Sequence, residues 1–229
     1  QSTTGDLSYT ANWQTTEATF DRDWQTQIAN ATTGIGISAT TLTSIRFEAS
    51  APSGYTYSGK TLTSGIQIWT TGTADAPSTN IAFVYPGTIY APNVADLFIE
   101  CNAVKTFTFN NFNTSKTQTM CGWFYGCNYV ESLDVSSFDT SNVTTMEGMF
   151  AWISKGSARS PITFGNNWDT SKVTTMFKMF YESSVLTSLN LSNFNTSNVT
   201  NMQEMFSGTT SLTSLDLSNF NTSKVTDMY

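Results

Sequence analysis

Apolar positions in the second half of this chain recur in columns. Met120, Met146, Met176, Met202 and Met228 form one series and Met149, Met179 and Met205 another, so all eight methionines fall on two positions of one unit. Both series advance by 26 residues apart from one step of 30. Phe112, Phe138, Trp168, Phe194 and Phe220 keep the same steps, as do Phe98, Phe124, Phe150, Phe180 and Phe206. Phe107, Leu133, Ile162, Leu189 and Leu215 form a further column, each followed two residues later by another apolar side chain. Self-similarity at a period of 20 to 50 residues is the signature of stacked repeat units. An α/β repeat solenoid is predicted.

Within one unit the stretch L-x-x-L-x-L alternates apolar and polar positions, the pattern of a half-buried strand. A polar run follows, N-T-S-N-V-T-N-M at 195–202 in its cleanest copy. Its Asx, Ser and Thr side chains bond to nearby backbone and favour a turn. The closing M-x-x-M-F has the i, i+3, i+4 spacing of a single helical turn, with the three apolar side chains pointing inward. The step of 30 reflects four extra residues within 151–161, a stretch holding Lys155 and Arg159 beside Trp152. Insertions in repeat arrays map to loops, often on the binding face.

Residues 1–90 lack the period and are read as an amino-terminal cap; residues 91–229 form the repeats, with the last unit cut short. A stack needs such a cap, because its ends expose strand edges and bare core. Phe20, Trp24 and Ile28, spaced by four, predict a short amphipathic helix, ended near Gly34. Strands are expected at 42–48, 65–70, 80–85 and 88–90. The first of these, L-T-S-I-R-F, itself fits L-x-x-L-x-L, so the cap is expected to extend the same sheet.

The repeated motif L-T-S-L-x-L-S-N-F-N-T-S-x-V-T-x-M-x-x-M-F resembles the BspA-like leucine-rich repeat family of bacterial surface proteins. The resemblance is cleanest over 186–206 and 212–229, is carried with substitutions over 130–150 and 162–180, and covers about residues 104–229. It implies a leucine-rich-repeat-like stack with one parallel strand and one short helical turn per coil, preceded by a β-rich amino-terminal cap. It also implies a secreted or anchored bacterial adhesin that binds host matrix proteins such as fibronectin and fibrinogen. Trp123 stands where the second Met of the motif is expected, and no anchoring signal is visible.

Charged residues make up only 12% of the chain and the net charge is -7, with ten scattered Lys and Arg. Nucleic acid and anionic membranes need a positive patch and are not expected as partners. No apolar run reaches the roughly 20 residues that cross a bilayer, so membrane insertion is not expected in this segment. Residues 1–6 show no signal-peptide pattern, which a trimmed chain would also lack.

The chain has no histidine, which removes the commonest general base and metal ligand. No catalysis and no cofactor or metal is expected. Asp134 and Asp216 share a strand position, but three coil steps of about 4.8 Å put them roughly 14 Å apart, beyond a glycosidase pair. Asn113, Asp139, Asp169, Asn195 and Asn221 form an Asx column that reads as turn formers or, less economically, as calcium ligands. The T-S-x-V-T runs are similar to ice-binding arrays, but Lys116, Lys172 and Lys224 interrupt them. Cys101 and Cys127 are in register 26 residues apart, so a disulfide and a pair of stacked buried thiols both remain open; Cys121 stays free in either case.

What remains is a surface. The outward strand residues Thr106, Thr108, Ser132, Asp134, Thr163, Ser188, Asn190, Ser214 and Asp216 are expected to form a polar ligand-binding face. Tyr125, Tyr129, Trp152 and Tyr181 lie outside the ladders and are candidate aromatic anchors, or edge packing. The expected function is adhesion to a host or partner protein outside the cell. A glycan-binding module, favoured if exposed aromatics line a groove with polar neighbours, and a purely architectural spacer are the alternatives.

Overall fold

The computed structural model of the chain describes residues 17–30, 34–72, 78–153 and 162–229. The insertion carrying Lys155 and Arg159, and the first sixteen residues, lie outside the described residues. Among the described residues ten strands are distributed over three sheets: β1 (Glu17–Thr19), β2 (Ser44–Glu48), β3 (Thr56–Thr61), β4 (Gln67–Thr70), β5 (Asn80–Val84), β6 (Thr88–Tyr90), β7 (Thr106–Phe109), β8 (Phe112–Asn113), β9 (Leu133–Asp134) and β10 (Ile162–Thr163). The one α-helix among the described residues is α1 (Trp24–Ala29), followed by a 3-10 turn at Ala39–Thr41.

The largest sheet runs β3-β4-β5-β2-β7 and is mixed. β2 lies parallel to both β5 and β7, with Ile45 opposite Ile81 and Phe107, whereas β3 and β4 join antiparallel. Alternation decides these strands: Ile45 and Phe47 are buried while Ser44, Arg46 and Glu48 are only half-buried. β1, β6 and β8 form a second, parallel sheet, and β9 and β10 a third. α1 lies against the first repeat segment, where Trp24 Nε1 donates to Leu97 O at 2.8 Å and Gln25 Nε2 to Ile99 O at 3.1 Å. β1 and β3 fall where no strand was expected, and Phe20 lies before the helix whose face it was assigned to.

This architecture corrects the expected fold. Among the described residues the regular structure is mostly β-sheet, in three sheets, with almost no helix; it is not a stack of strand-and-helix repeats. The physical reason lies in M-x-x-M-F. Every fourth residue there takes a left-handed conformation, in one column Gly122, Gly148, Lys178 and Glu204, with φ of 61°, 59°, 55° and 53°. A left-handed residue ends a right-handed helix before its first i to i+4 bond closes.

The released amides turn along the repeat axis. Gly148 N donates to Phe177 O, Phe150 N to Met179 O and Trp152 N to Tyr181 O, all at 2.8 to 2.9 Å. Met149 N and Ala151 N instead bond back three residues, to Met146 O and Gly148 O. One amide in two therefore links this segment to the next copy. The expected strands are also cut short: only two residues pair in β9 and β10, and among the described residues no strand forms at 186–191 or 212–217.

What holds adjacent copies together is a set of single parallel bridges and side-chain ladders. Thr119, Thr145, Thr175, Asn201 and Asp227 bridge in turn. At the corner, buried Thr140 accepts from Asp169 N at 2.8 Å and donates to Asp169 O at 3.0 Å; Thr114, Thr170 and Thr196 repeat the pattern. Each of these hydroxyls does what a strand residue's N–H and C=O would do, so buried polar groups stay paired without a regular strand. Inside, Phe98, Phe124, Phe150, Phe180 and Phe206 form a continuous stack with centroid spacings of 5.4, 5.8, 5.6 and 5.7 Å.

Candidate functional site

The strand face places its residues unequally. Thr106 bridges Ser132, and Asp134 lies opposite Thr163 in the β9–β10 pair. Thr108 sits beside Arg46 of β2 and is half-buried, whereas Thr106, Ser132, Asp134, Thr163, Ser188, Asn190, Ser214 and Asp216 are exposed. Three of these side chains are already engaged: Asp134, Asn190 and Asp216 accept from Ser136 N, Ser192 N and Ser218 N at 2.9, 3.1 and 2.9 Å. Such an Asx turn closes β9 at Asp134 and shapes the strandless segments at Asn190 and Asp216, and both carboxylates stay exposed. The bonds from Ser218, backbone first, hold the Asp216 carboxyl below the usual carboxylate range.

Two depressions lie on this face. One, of about 500 Å³, is lined by Thr108, Asn110, Asp134, Ser136 and Ser137. The other, of about 140 Å³, lies between Asn190, Ser192, Asp216, Ser218 and Asn219. Asp134 and Asp216 thus belong to different depressions and are not brought together. The Asx column is engaged as well, since Asn113, Asp139, Asp169, Asn195 and Asn221 each accept from the amide two residues on. Among the described residues no group of three or more acidic or thiol side chains is placed to hold a metal ion.

The aromatic candidates divide. Tyr125 and Trp152 share a depression of about 200 Å³ with Glu100, Asn102, Gly126 and Asn128. Tyr181 meets the edge of Trp152 at 6.0 Å and takes the Lys178 Nζ over its ring at 4.9 Å. Tyr129 is about half exposed and does not line that depression. Glu100, Asn102 and Asn128 are polar partners that the sequence reading did not single out. Their signal was register: Asn102 and Asn128 follow Cys101 and Cys127 in adjacent units.

A second feature missed by the sequence reading is apolar. Met202, Met205, Phe206, Leu217, Phe220, Met228 and Tyr229 line an open depression of about 420 Å³. The columns that named most of these residues as core would have located it, because Met205, Phe206, Leu217, Phe220 and Met228 are the last members of their columns.

The thiols are unbridged. Cys101 and Cys127 are free and fully buried, and Cys121 is free and half-buried. Burial pushes the Cys101 thiol up to about 12. Burial, then the carboxylates of Glu147 and Asp96, push Cys121 up to about 11. A thiol so protonated at neutral pH is a poor nucleophile.

The structure therefore defines a β-rich repeat protein whose candidate sites are open surface depressions. Residues 92–157 and 154–229 each match the family described as Mycoplasma protein of unknown function, DUF285, and the chain belongs to that family. This corrects the resemblance to BspA-like leucine-rich repeat proteins, because the comparisons give no support to a leucine-rich repeat. No curated protein and no solved structure matches the chain. Among the described residues no helix is long and apolar enough to cross a membrane.

Proposed function

We propose that this chain is a non-catalytic adhesive module, displayed outside the cell, that docks a host or partner protein through its polar strand face. The observation that carries the reading is the run of exposed residues from Thr106 to Asp216, punctuated by exposed carboxylates that form Asx turns. Large, shallow, polar faces suit protein partners better than small molecules, which prefer concave apolar pockets. Low charge and a Thr, Ser and Asn surface favour display outside the cell over an ordinary cytosolic domain, which carries about twice the charged fraction.

The test is surface plasmon resonance of the whole chain against purified matrix proteins, fibronectin and fibrinogen among them. Saturable binding is expected, weakened at least tenfold by Asp134→Asn with Asp216→Asn. Asn retains the Asx turn, so that loss reports the charge and not the fold. If no matrix protein binds while circular dichroism shows the fold intact, the reading fails.

A further inference from the structure

We propose that the depression between Tyr125 and Trp152 binds the ring of a neutral pyranose sugar, at a site separate from the strand face. Three successive copies of the repeat build it: Glu100 and Asn102 from the first, Tyr125, Gly126 and Asn128 from the second, Trp152 from the third. A pyranose presents a flat face of C–H groups and a rim of hydroxyls. It needs an aromatic surface beside a few hydrogen-bonding groups.

Both requirements are met here. Tyr125 is 37% exposed, and Trp152 makes a T-shaped contact with Tyr181 with ring centroids 6.0 Å apart, so two aromatic side chains flank the depression. The electron-rich faces of such rings attract polarised C–H groups. Asn102 Oδ1 accepts from Asn128 Nδ2 at 3.0 Å, which fixes the Asn102 amide and leaves its Nδ2 without a partner among the described residues. The exposed Glu100 carboxylate can accept from two hydroxyls at once.

Size and charge narrow the ligand. The depression holds about 200 Å³, less than the roughly 300 to 1,000 Å³ of sites for drug-sized molecules, which suits one ring. Among the described residues its only ionisable carboxylate is Glu100 and no cation lines it, and the chain as a whole carries -7. A sialylated or sulfated sugar would meet repulsion there, so the ring is neutral.

Trp152 has a φ of 58°, a left-handed conformation that its register shares throughout the repeats, with Glu100, Gly126, Glu182 and Gly208 at 54°, 73°, 55° and 77°. It also supplies a clean variant, because Trp152→Gly restores what two other copies already have.

Saturation-transfer-difference NMR of the whole chain tests the site, with methyl β-glucoside, methyl β-galactoside and methyl N-acetyl-β-glucosaminide as probes and sialyllactose as the charged control. Transfer to the ring C–H protons of at least one neutral glycoside is expected, reduced at least tenfold by Trp152→Gly and by Tyr125→Ala. Glu100→Gln is expected to weaken it less. Thermal unfolding of Trp152→Gly should occur no earlier than for the parent chain. Absence of transfer to all three neutral glycosides overturns the proposal, as does undiminished transfer in Trp152→Gly or stronger transfer to sialyllactose through its sialic acid. Asp134→Asn with Asp216→Asn should leave the sugar signal unchanged, so this site and the protein-binding face stand or fall separately.

Discussion

Residues 17–90 and residues 91–229 solve the same problem, pairing the buried backbone, by different means. In the first region strands of up to six residues pair in a mixed sheet, with a bulge between Tyr57 and Lys60. In the second, beyond the four-residue β7 that joins this sheet, regular strands shrink to two residues, and pairing passes to isolated bridges, threonine hydroxyls and Asx carboxamides and carboxylates. The comparison teaches that a repeat needs no continuous strand to stack. A column of one side chain, repeated in register, can replace a backbone ladder. It follows that the second region should depend far more on individual side chains than the first.

The largest effect should come from the interior of the phenylalanine stack. Phe150 is fully buried, with Phe124 at 5.8 Å on one side and Phe180 at 5.6 Å on the other. Phe150→Ala should cost about 3 to 5 kcal/mol, the usual range for a buried aromatic truncation. Phe206, half-buried and the last of its column, should cost clearly less on the same change. Urea unfolding of both variants measures this, and equal losses would show that the stack is not a shared core.

The next effect is alkaline, and all three cysteines lie in the second region. The folded-state pKa of Cys101 is raised to about 12 and that of Cys127 is raised well above the ordinary thiol value, in both cases chiefly by burial. Above the unfolded thiol pKa of about 8.5 the unfolded chain releases these protons first. Stability therefore falls as pH rises from about 9 towards 12, by roughly 1.4 kcal/mol per pH unit for each thiol. Below pH 8 the two thiols contribute no pH dependence. Unfolding melts between pH 8 and 11 should show the fall, and Cys101→Ala with Cys127→Ala should leave only the smaller share due to Cys121.

How much of the fold is legible in the sequence depends on whether a pattern has one structural meaning. Columns of Met and Phe at a 26-residue step have one, and those side chains are buried in register. M-x-x-M-F has two, because inward-facing residues at i, i+3 and i+4 fit a helical turn and also a pair of tight turns with a left-handed residue between them. Gly122 and Gly148 in one column carried the distinguishing signal, but Lys178 and Glu204 at the same register hid it. L-x-x-L-x-L promised strands of six residues, yet the Asx turn at Asp134 closes β9 after two, and the segments turned at Asn190 and Asp216 form no strand. Of the candidate site, Tyr125 and Trp152 were legible as aromatics outside the columns. Their polar neighbours Glu100, Asn102 and Asn128 were not, since nearness there comes from stacking three copies.

A smaller effect should come from the threonine corner. Thr140→Val keeps the shape but removes the hydroxyl that both accepts from Asp169 N and donates to Asp169 O. Leaving buried backbone groups unpaired costs about 1 to 3 kcal/mol. In the first region Thr41 also bonds through its hydroxyl to a backbone carbonyl, that of Ser38, but is exposed. Thr41→Val should be close to neutral, and thermal melts of the pair read the difference directly.

The smallest effect has the opposite sign. Thr117 stands in the column of Val143, Val173, Val199 and Val225, is fully buried, and its hydroxyl is among the buried polar atoms with no hydrogen-bond partner. The other threonine ladders show what a buried hydroxyl does in this fold when it has a partner; Thr117 shows the same group without one. Thr117→Val should raise stability by about 1 kcal/mol, since it removes the desolvation cost of an unpaired hydroxyl and keeps the branched shape. Differential scanning calorimetry should find a higher Tm for Thr117→Val and a lower one for Thr140→Val. If both variants were destabilised, the hydroxyl of Thr117 would have to be engaged, and the rule that side-chain columns carry the pairing would extend to a threonine position where it now fails.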